Sequence, residues 1–293
     1  MPSHPAFLVP VSRDQAIAQL EHHGDDAVVV AGSTAVTIML QQGLIDPELI
    51  VSLGRIDELR GIQASNGDLT IGALTTHREV ELSPLVRARL PILATTFGQV
   101  ANVRVRNAAT VGGVLAEADY ASDPPALLRA LDAQVEVAGP QGERSVPVRE
   151  FIVGFYETAL KPAEIVTGVR VPLPDAGTGY SYEKFVTRSS EDRPCVGVAA
   201  VVRLDPDGRA CADLRVAVGA ASEVPQRFED VEAQARGTVA DEALAEAVAD
   251  AYAERIDPLT DMRGSAWYRR EMIRVWVRRA ILNARADAAE AVG

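Results

Sequence analysis

Cysteine is nearly absent from this chain: two of 293 residues, Cys195 and Cys211. Two thiols build neither a disulfide framework nor a four-thiolate zinc or iron–sulfur site, so any iron–sulfur cluster the chain works with has to sit in a partner. Histidine is scarce as well. His4, His22, His23 and His77 contain one adjacent pair and no pair spaced one helical turn apart, which argues against a histidine metal site. Long hydrophobic runs are missing: the apolar stretches 27–31 and 195–202 fall far below the roughly 20 residues that span a bilayer. Met1 to Ala6 shows no basic segment followed by an apolar one, so a cytoplasmic location is expected. No H-E-x-x-H, G-x-S-x-G or G-x-x-x-x-G-K-[ST] pattern occurs, which removes zinc proteases, nucleophile-elbow hydrolases and P-loop enzymes. Positive charge is in deficit, 29 basic against 41 acidic residues for a net −12, and such a surface repels phosphate backbones and anionic lipid. What is present, 47% apolar and 24% charged residues, is the composition of a globular protein with one large domain or two ordinary ones.

The pattern along the chain is mixed α and β. Arg13 to His22 reads as a helix, and Ala27 to Ala31 as a Val-rich strand that stops at Gly32-Ser33-Thr34 before a helix over Ala35 to Gln42. Strands are expected at Leu49 to Leu53 and Leu69 to Ala73, separated by a turn region from Gly61 to Gly67, then one helix from Leu85 to Val100. Ala101 to Ala118 lacks periodicity and reads as a loop leading into a helix from Pro124 to Leu131. Val135 to Val137 and Ser145 to Val148 form a hairpin around Gly139-Pro140-Gln141-Gly142, and Ile165 to Val171 is a further strand. The Pro- and Gly-rich stretch from Pro172 to Gly179 is the best boundary. Beyond it come three strands, Tyr180 to Val186, Val196 to Leu204 and Ala212 to Val218, a helix from Ala240 to Arg255, and a final helix with Ile273, Trp276, Val277, Ala280, Ile281 and Ala284 on one stripe. Burial alone accounts for that stripe, as strand placement does for both cysteines.

Two small-residue turns stand out, AGSTA at Ala31 to Ala35 and TVGGV at Thr110 to Val114. A turn free of bulky side chains lets successive backbone N–H groups converge on an anion, and the first is followed by a helix. Taken alone, such a turn is more often a plain loop than a ligand site.

AGSTAVTIML at 31–40, IGALTTHREVELSPLV at 71–86, RNAATVGGVLAEADYASDPPALLRALDA at 106–133, GYSYEKF at 179–185 and YRREMIRVWVRRA at 268–280 together resemble one family over nearly the whole chain. It is the FAD-binding medium subunit of molybdenum hydroxylases, the group of carbon monoxide dehydrogenase and xanthine dehydrogenase. The resemblance implies an α+β fold. Residues 1–175 would form a two-lobed FAD-binding domain of the vanillyl-alcohol-oxidase or PCMH type, and 176–293 a C-terminal domain with a three-stranded antiparallel sheet and helices. It places Ala31, Gly32, Ser33, Thr34 and Ala35 around the FAD pyrophosphate. Thr110, Val111, Gly112, Gly113 and Val114 would continue that grip toward the ribityl chain, with Val100 and Ala101 nearby. Asp123 would accept hydrogen bonds from the adenosine end, or act as a helix N-cap. Ile165 and Val166 would pack on the adenine side, or be buried strand residues. Lys184 would lie near the isoalloxazine ring and favour its reduced anion, or be a solvated strand lysine.

The implied function is electron transfer. Substrate is oxidised at a molybdenum cofactor in a large subunit, electrons pass through two [2Fe–2S] clusters in a small subunit, and FAD in this chain delivers them to an external acceptor. No catalytic acid or base and no metal ligand are expected here. The chain departs from the family pattern at Ser33, where a second glycine is usual, at Ala35, where a hydroxyl or carboxylate is usual, and at Val114, where asparagine is usual. The stretch Glu191-Asp192-Arg193-Pro194 also replaces a region with an aromatic residue. These departures keep two alternatives open, a flavin-free structural subunit with the same fold and a stand-alone flavin-dependent oxidoreductase.

Overall fold

The computed structural model describes residues 5–292, so His4 lies outside it. The chain begins with a small parallel sheet whose strands run in the order Ala6–Leu8, Leu49–Ser52, Ala27–Val30. Helix Arg13–His23, capped by the Ser12 hydroxyl accepting from the Gln15 N–H, lays Ala16, Ile17 and Leu20 on this sheet and its surroundings. An antiparallel five-stranded sheet follows, in the order Ile62–Ser65, Asp68–Gly72, Ile165–Pro172, Gln134–Gly139, Gly142–Pro147. Its apolar positions share one core with the helices between residues 77 and 130, built on Leu69, Ile71, Leu93, Phe97, Leu127 and Val169.

Three local expectations are corrected here. The region from Gly61 to Gly67 is not only a turn: Ile62–Ser65 is a strand, and Asn66-Gly67, both at positive φ (52° and 83°), makes the tight hairpin that returns the chain. The helix expected over 85–100 is two helices, Pro84–Arg89 and Pro91–Gly98, because Pro91 has no N–H to continue the first. The loop expected over 101–118 contains helix Val111–Glu117, N-capped by Thr110, so the second small-residue turn is itself a helix start.

The last part holds an antiparallel sheet of Thr178–Phe185, Val196–Leu204 and Cys211–Gly219, in sequence order. Its central strand is buried on both faces, which is why it reads as a continuous apolar run. On one face Val196, Val198, Ala200, Val202, Val216 and Val218, with both cysteines, pack with helices Glu242–Arg255 and Ala266–Val292. The other face is paved with small residues. Gly197 pairs with Gly219 and Ala199 with Ala217, and helix Asp123–Ala130 settles directly on them: a Cβ added at Gly219 would stand 3.0 Å from the Ala126 Cβ. The sheet thus has one face in each half of the molecule. Among the described residues no helix is long and apolar enough to cross a membrane.

Candidate functional site

A cavity of about 710 Å³ lies where these parts meet. The size suits a cofactor-sized ligand. All five residues Ala31 to Ala35 line it, as do Val100, Ala101, Thr110, Gly112, Gly113, Val114, Asp123, Ile165, Val166 and Lys184. Val111, singled out with them, does not; its side chain is fully buried in the neighbouring core.

The two turns differ in what their backbones offer. Among the described residues the N–H groups of Gly32, Ser33, Thr34 and Ala35 donate to no protein acceptor, although they line the cavity. Ser33 is held in the left-handed region at φ 58°. A non-glycine residue there costs on the order of 1 kcal/mol, and the conformation turns neighbouring N–H groups toward one side of the turn. In the second turn only the Thr110 N–H is left without a protein acceptor among the described residues. Val111 N–H goes to Thr75 O at 2.9 Å, Gly112 N–H to Ala73 O at 2.8 Å, Gly113 N–H to Thr110 Oγ1 at 3.1 Å and Val114 N–H to Thr110 O at 3.0 Å. The two turns therefore differ: the first leaves four successive N–H groups unspent, whereas the second spends those of Val111 to Val114 on its own fold and leaves only that of Thr110. Close approach of the two turns depends on Gly32, since a Cβ there would stand 1.8 Å from Ala108 O.

Val100 and Ala101 owe their place to Arg106, whose Nη1 donates to both carbonyls at 3.0 and 2.9 Å while its Nε pairs with Glu81. Ile165 and Val166 open the central strand of the five-stranded sheet and are nearly inaccessible, yet border the cavity.

Asp123 and Lys184 touch. Lys184 Nζ donates to Asp123 Oδ2 and to Gln99 O, each at 2.9 Å, and both side chains are buried. The lysine is therefore not solvated, and the carboxylate expected at the adenosine end and the ammonium expected at the flavin ring are in contact. The helix-cap reading of Asp123 also fails. Asp123 is the first helical residue and the next two are Pro124 and Pro125, which have no N–H to donate, so its second oxygen instead accepts from Tyr182 Oη at 2.8 Å. Burial pushes the Asp123 carboxyl upward, with Lys184 and the Tyr182 hydroxyl drawing it back.

Four lining or adjoining residues have no assigned role in the site from sequence. Arg193 Nε forms an ion pair with buried Asp119 Oδ2 at 2.5 Å across the two halves of the molecule. Glu117 lines the same corner, its carboxyl pushed up by burial and then by Asp119, with Arg193 opposing. His77 is buried in the wall with neither ring nitrogen hydrogen-bonded among the described residues, its ring edge-on to Phe97 at 4.9 Å. None of these carries a spacing signal, because their partners lie far away in sequence or are apolar.

Burial pulls the His77 pKa down to about 4; the nearby Thr110 backbone opposes the shift and the Arg106 charge adds to it. The folded chain therefore binds fewer protons than the unfolded chain between the ordinary histidine value of about 6.5 and 4. Stability from this residue is intact above that window and is lost as pH falls through it, by about 3 kcal/mol in total. Urea unfolding of the wild type and of His77→Leu at pH 7 and pH 4.5 is expected to show the larger loss in the wild type. Equal losses would remove His77 from the acid response.

Comparison with known proteins bears directly on this cavity. Residues 3–174 match the family described as the FAD binding domain in molybdopterin dehydrogenase, and residues 180–284 the CO dehydrogenase flavoprotein C-terminal domain. The chain belongs to the FAD-binding medium-subunit family of molybdenum hydroxylases. This flavoprotein-family chain is 34% identical over 275 residues to the carbon monoxide dehydrogenase medium chain of Hydrogenophaga pseudoflava, covering 94% of this chain and 95% of that one. It is 32% identical to the nicotine 6-hydroxylase medium subunit of Paenarthrobacter nicotinovorans, covering 95% and 96%. In three dimensions it is similar to carbon monoxide dehydrogenase from Hydrogenophaga pseudoflava, with TM-score 0.94 and 35% identity over 98% of this chain and 99% of that one. Quinoline 2-oxidoreductase from Pseudomonas putida 86 gives 0.91 and 30% over 99% of each.

Proposed function

We propose that this chain is the FAD-containing electron-transfer subunit of a molybdenum hydroxylase complex, taking electrons from [2Fe–2S] clusters in a small partner subunit and passing them to an external acceptor. A large partner would hold the molybdenum cofactor and choose the substrate. Residues 1–175 would be the two-lobed PCMH-type FAD domain and 176–293 the C-terminal domain; the two matched ranges, 3–174 and 180–284, support this division.

The observation that carries the reading is the first turn: unspent N–H groups from Gly32 to Ala35 facing a cavity of cofactor size. Such donors suit a pyrophosphate. Thr110, Gly112, Gly113 and Val114 would form the opposing wall, Ile165 and Val166 an apolar one, and Val100 and Ala101 a rim. The paired Asp123 and Lys184 would meet a single end of the cofactor. A ring bearing both an N–H and carbonyl oxygens, as the flavin pyrimidine does, matches one acceptor beside one donor. Bound FAD supplies the redox chemistry, and the residues here bind it, orient it and tune its charge.

The direct test is a visible spectrum of the purified chain, followed by cofactor release and titration with FAD. Near-stoichiometric flavin is the expected result, with molybdenum and iron–sulfur subunits recovered by native co-purification. A colourless chain that takes up no FAD, with or without its partners, would mean a flavin-free subunit; flavin without partners would mean a stand-alone oxidoreductase. Val114 lines the cavity where a side-chain amide would add a hydrogen bond. At about 1 kcal/mol net for that bond, Val114→Asn is expected to tighten FAD about fivefold in the same titration. Unchanged or weaker binding would place the ligand away from this side chain.

A further inference from the structure

Tyr182 has no assigned part in the site, yet its hydroxyl ends on the cavity's carboxylate. We propose that Tyr182 is a positioning residue of the flavin site, holding Asp123 so that it and Lys184 face the cavity as one fixed donor–acceptor pair; this rests on the FAD reading above. Tyr182 and Lys184 stand two apart on strand Thr178–Phe185 and so share a face. They take one oxygen of Asp123 each: Tyr182 Oη to Oδ1 at 2.8 Å, Lys184 Nζ to Oδ2 at 2.9 Å. Tyr182 itself does not line the cavity. It acts through the carboxylate.

The sheet is built to admit this hydroxyl. Gly197, directly opposite Lys184 on the next strand, leaves the space the phenol occupies: a Cβ there would stand 2.6 Å from Tyr182 Oη. Helix Asp123–Ala130 contributes the other half of the arrangement, since Pro124 and Pro125, the next two residues, offer the Asp123 carboxylate no backbone N–H. Burial and the neighbouring carboxylate keep the phenol protonated far above its ordinary range, so it remains a donor to Asp123 at any working pH.

Donation from Tyr182 draws part of the Asp123 charge to Oδ1, away from Lys184. Without it the whole carboxylate charge acts on the ammonium, less positive field reaches the cavity, and a reduced anionic flavin is held less well.

The test compares FAD affinity and the flavin midpoint potential in the full chain, purified with any partners it retains. Tyr182→Phe is expected to weaken FAD about tenfold and to shift the two-electron equilibrium tenfold toward the oxidised form, or ~30 mV. Gly197→Ala, which displaces the hydroxyl without removing it, is expected to shift both readouts the same way. Tyr180→Phe removes a buried hydroxyl that bonds nothing among the described residues and is expected to leave both unchanged. Asp123→Asn with Tyr182→Phe is expected to add little to Asp123→Asn alone. If Tyr182→Phe lowers only the melting temperature while affinity and potential stay at wild-type values, the residue is purely structural and the inference falls. A wild type that takes up no FAD removes the flavin reading itself, an outcome separate from the first.

Discussion

Replacing Gly32 with alanine is expected to abolish measurable FAD uptake and to cost about 3 kcal/mol of stability or more. The added Cβ would stand 1.8 Å from Ala108 O, 2.6 Å from its carbonyl carbon and 3.2 Å from Ala109 Cα. All three are backbone atoms, so no side-chain rotation relieves the contact. The turn from Ala31 to Ala35 has to move away from the segment before Thr110, and the cavity between them changes shape. FAD titration and urea unfolding measure the two effects. Gly54→Ala is the control. A Cβ there meets only Ser52 Oγ, at 3.5 Å, and its effect is expected to stay within about 1 kcal/mol with FAD binding intact. Wild-type affinity in Gly32→Ala would show that the first turn does not hold the cofactor.

The second large effect is expected at Lys184. Truncation to methionine leaves Asp123 as a buried carboxylate with a hydroxyl donor and no counter-charge. Breaking a buried pair from one side costs about 3–5 kcal/mol. The contact joins residues on either side of the boundary near 172–179, so the loss falls on the union of the two halves and on the cavity between them. Adding Asp123→Asn removes the stranded charge and keeps an acceptor for Tyr182. The double variant is expected to recover more than half of the lost stability without recovering wild-type FAD affinity. Denaturant midpoints of both singles and the double give the coupling energy. Additive costs would mean that the two side chains do not interact.

The regular elements were legible wherever burial left a period. The run at Val196 to Leu204 reads as a strand because the sheet covers both faces, and the stripe through Ile273 and Val277 reads as a helix because one face is buried. Elements set by a few local residues were harder. Asn66-Gly67 carried a hairpin signal lost among the glycines around it, and Val111–Glu117 contains two glycines that lower its helical propensity while Thr110 and the packing at Ala73 hold it in place. At the site, the family motifs located the lining residues but not the bonds among them. Nothing in spacing joins Asp123 to a lysine 61 positions later or Asp119 to Arg193. The first of these follows from the small-residue face of the sheet, on which the helix lies close enough for strand side chains to reach its first turn, and the second joins two connecting segments outside both elements.

The placement of the two cysteines turns the chain into its own reporter. Both thiols are buried among the helices on the far face of the sheet, and residues 1–194 contain none. Burial pushes the Cys211 thiol up to about 11 and raises that of Cys195, so a modifying reagent in neutral buffer finds almost no thiolate while the fold is closed. Their labelling rate therefore counts openings of the C-terminal half alone, and the cavity-lining turns in the other half can loosen without leaving a trace in it.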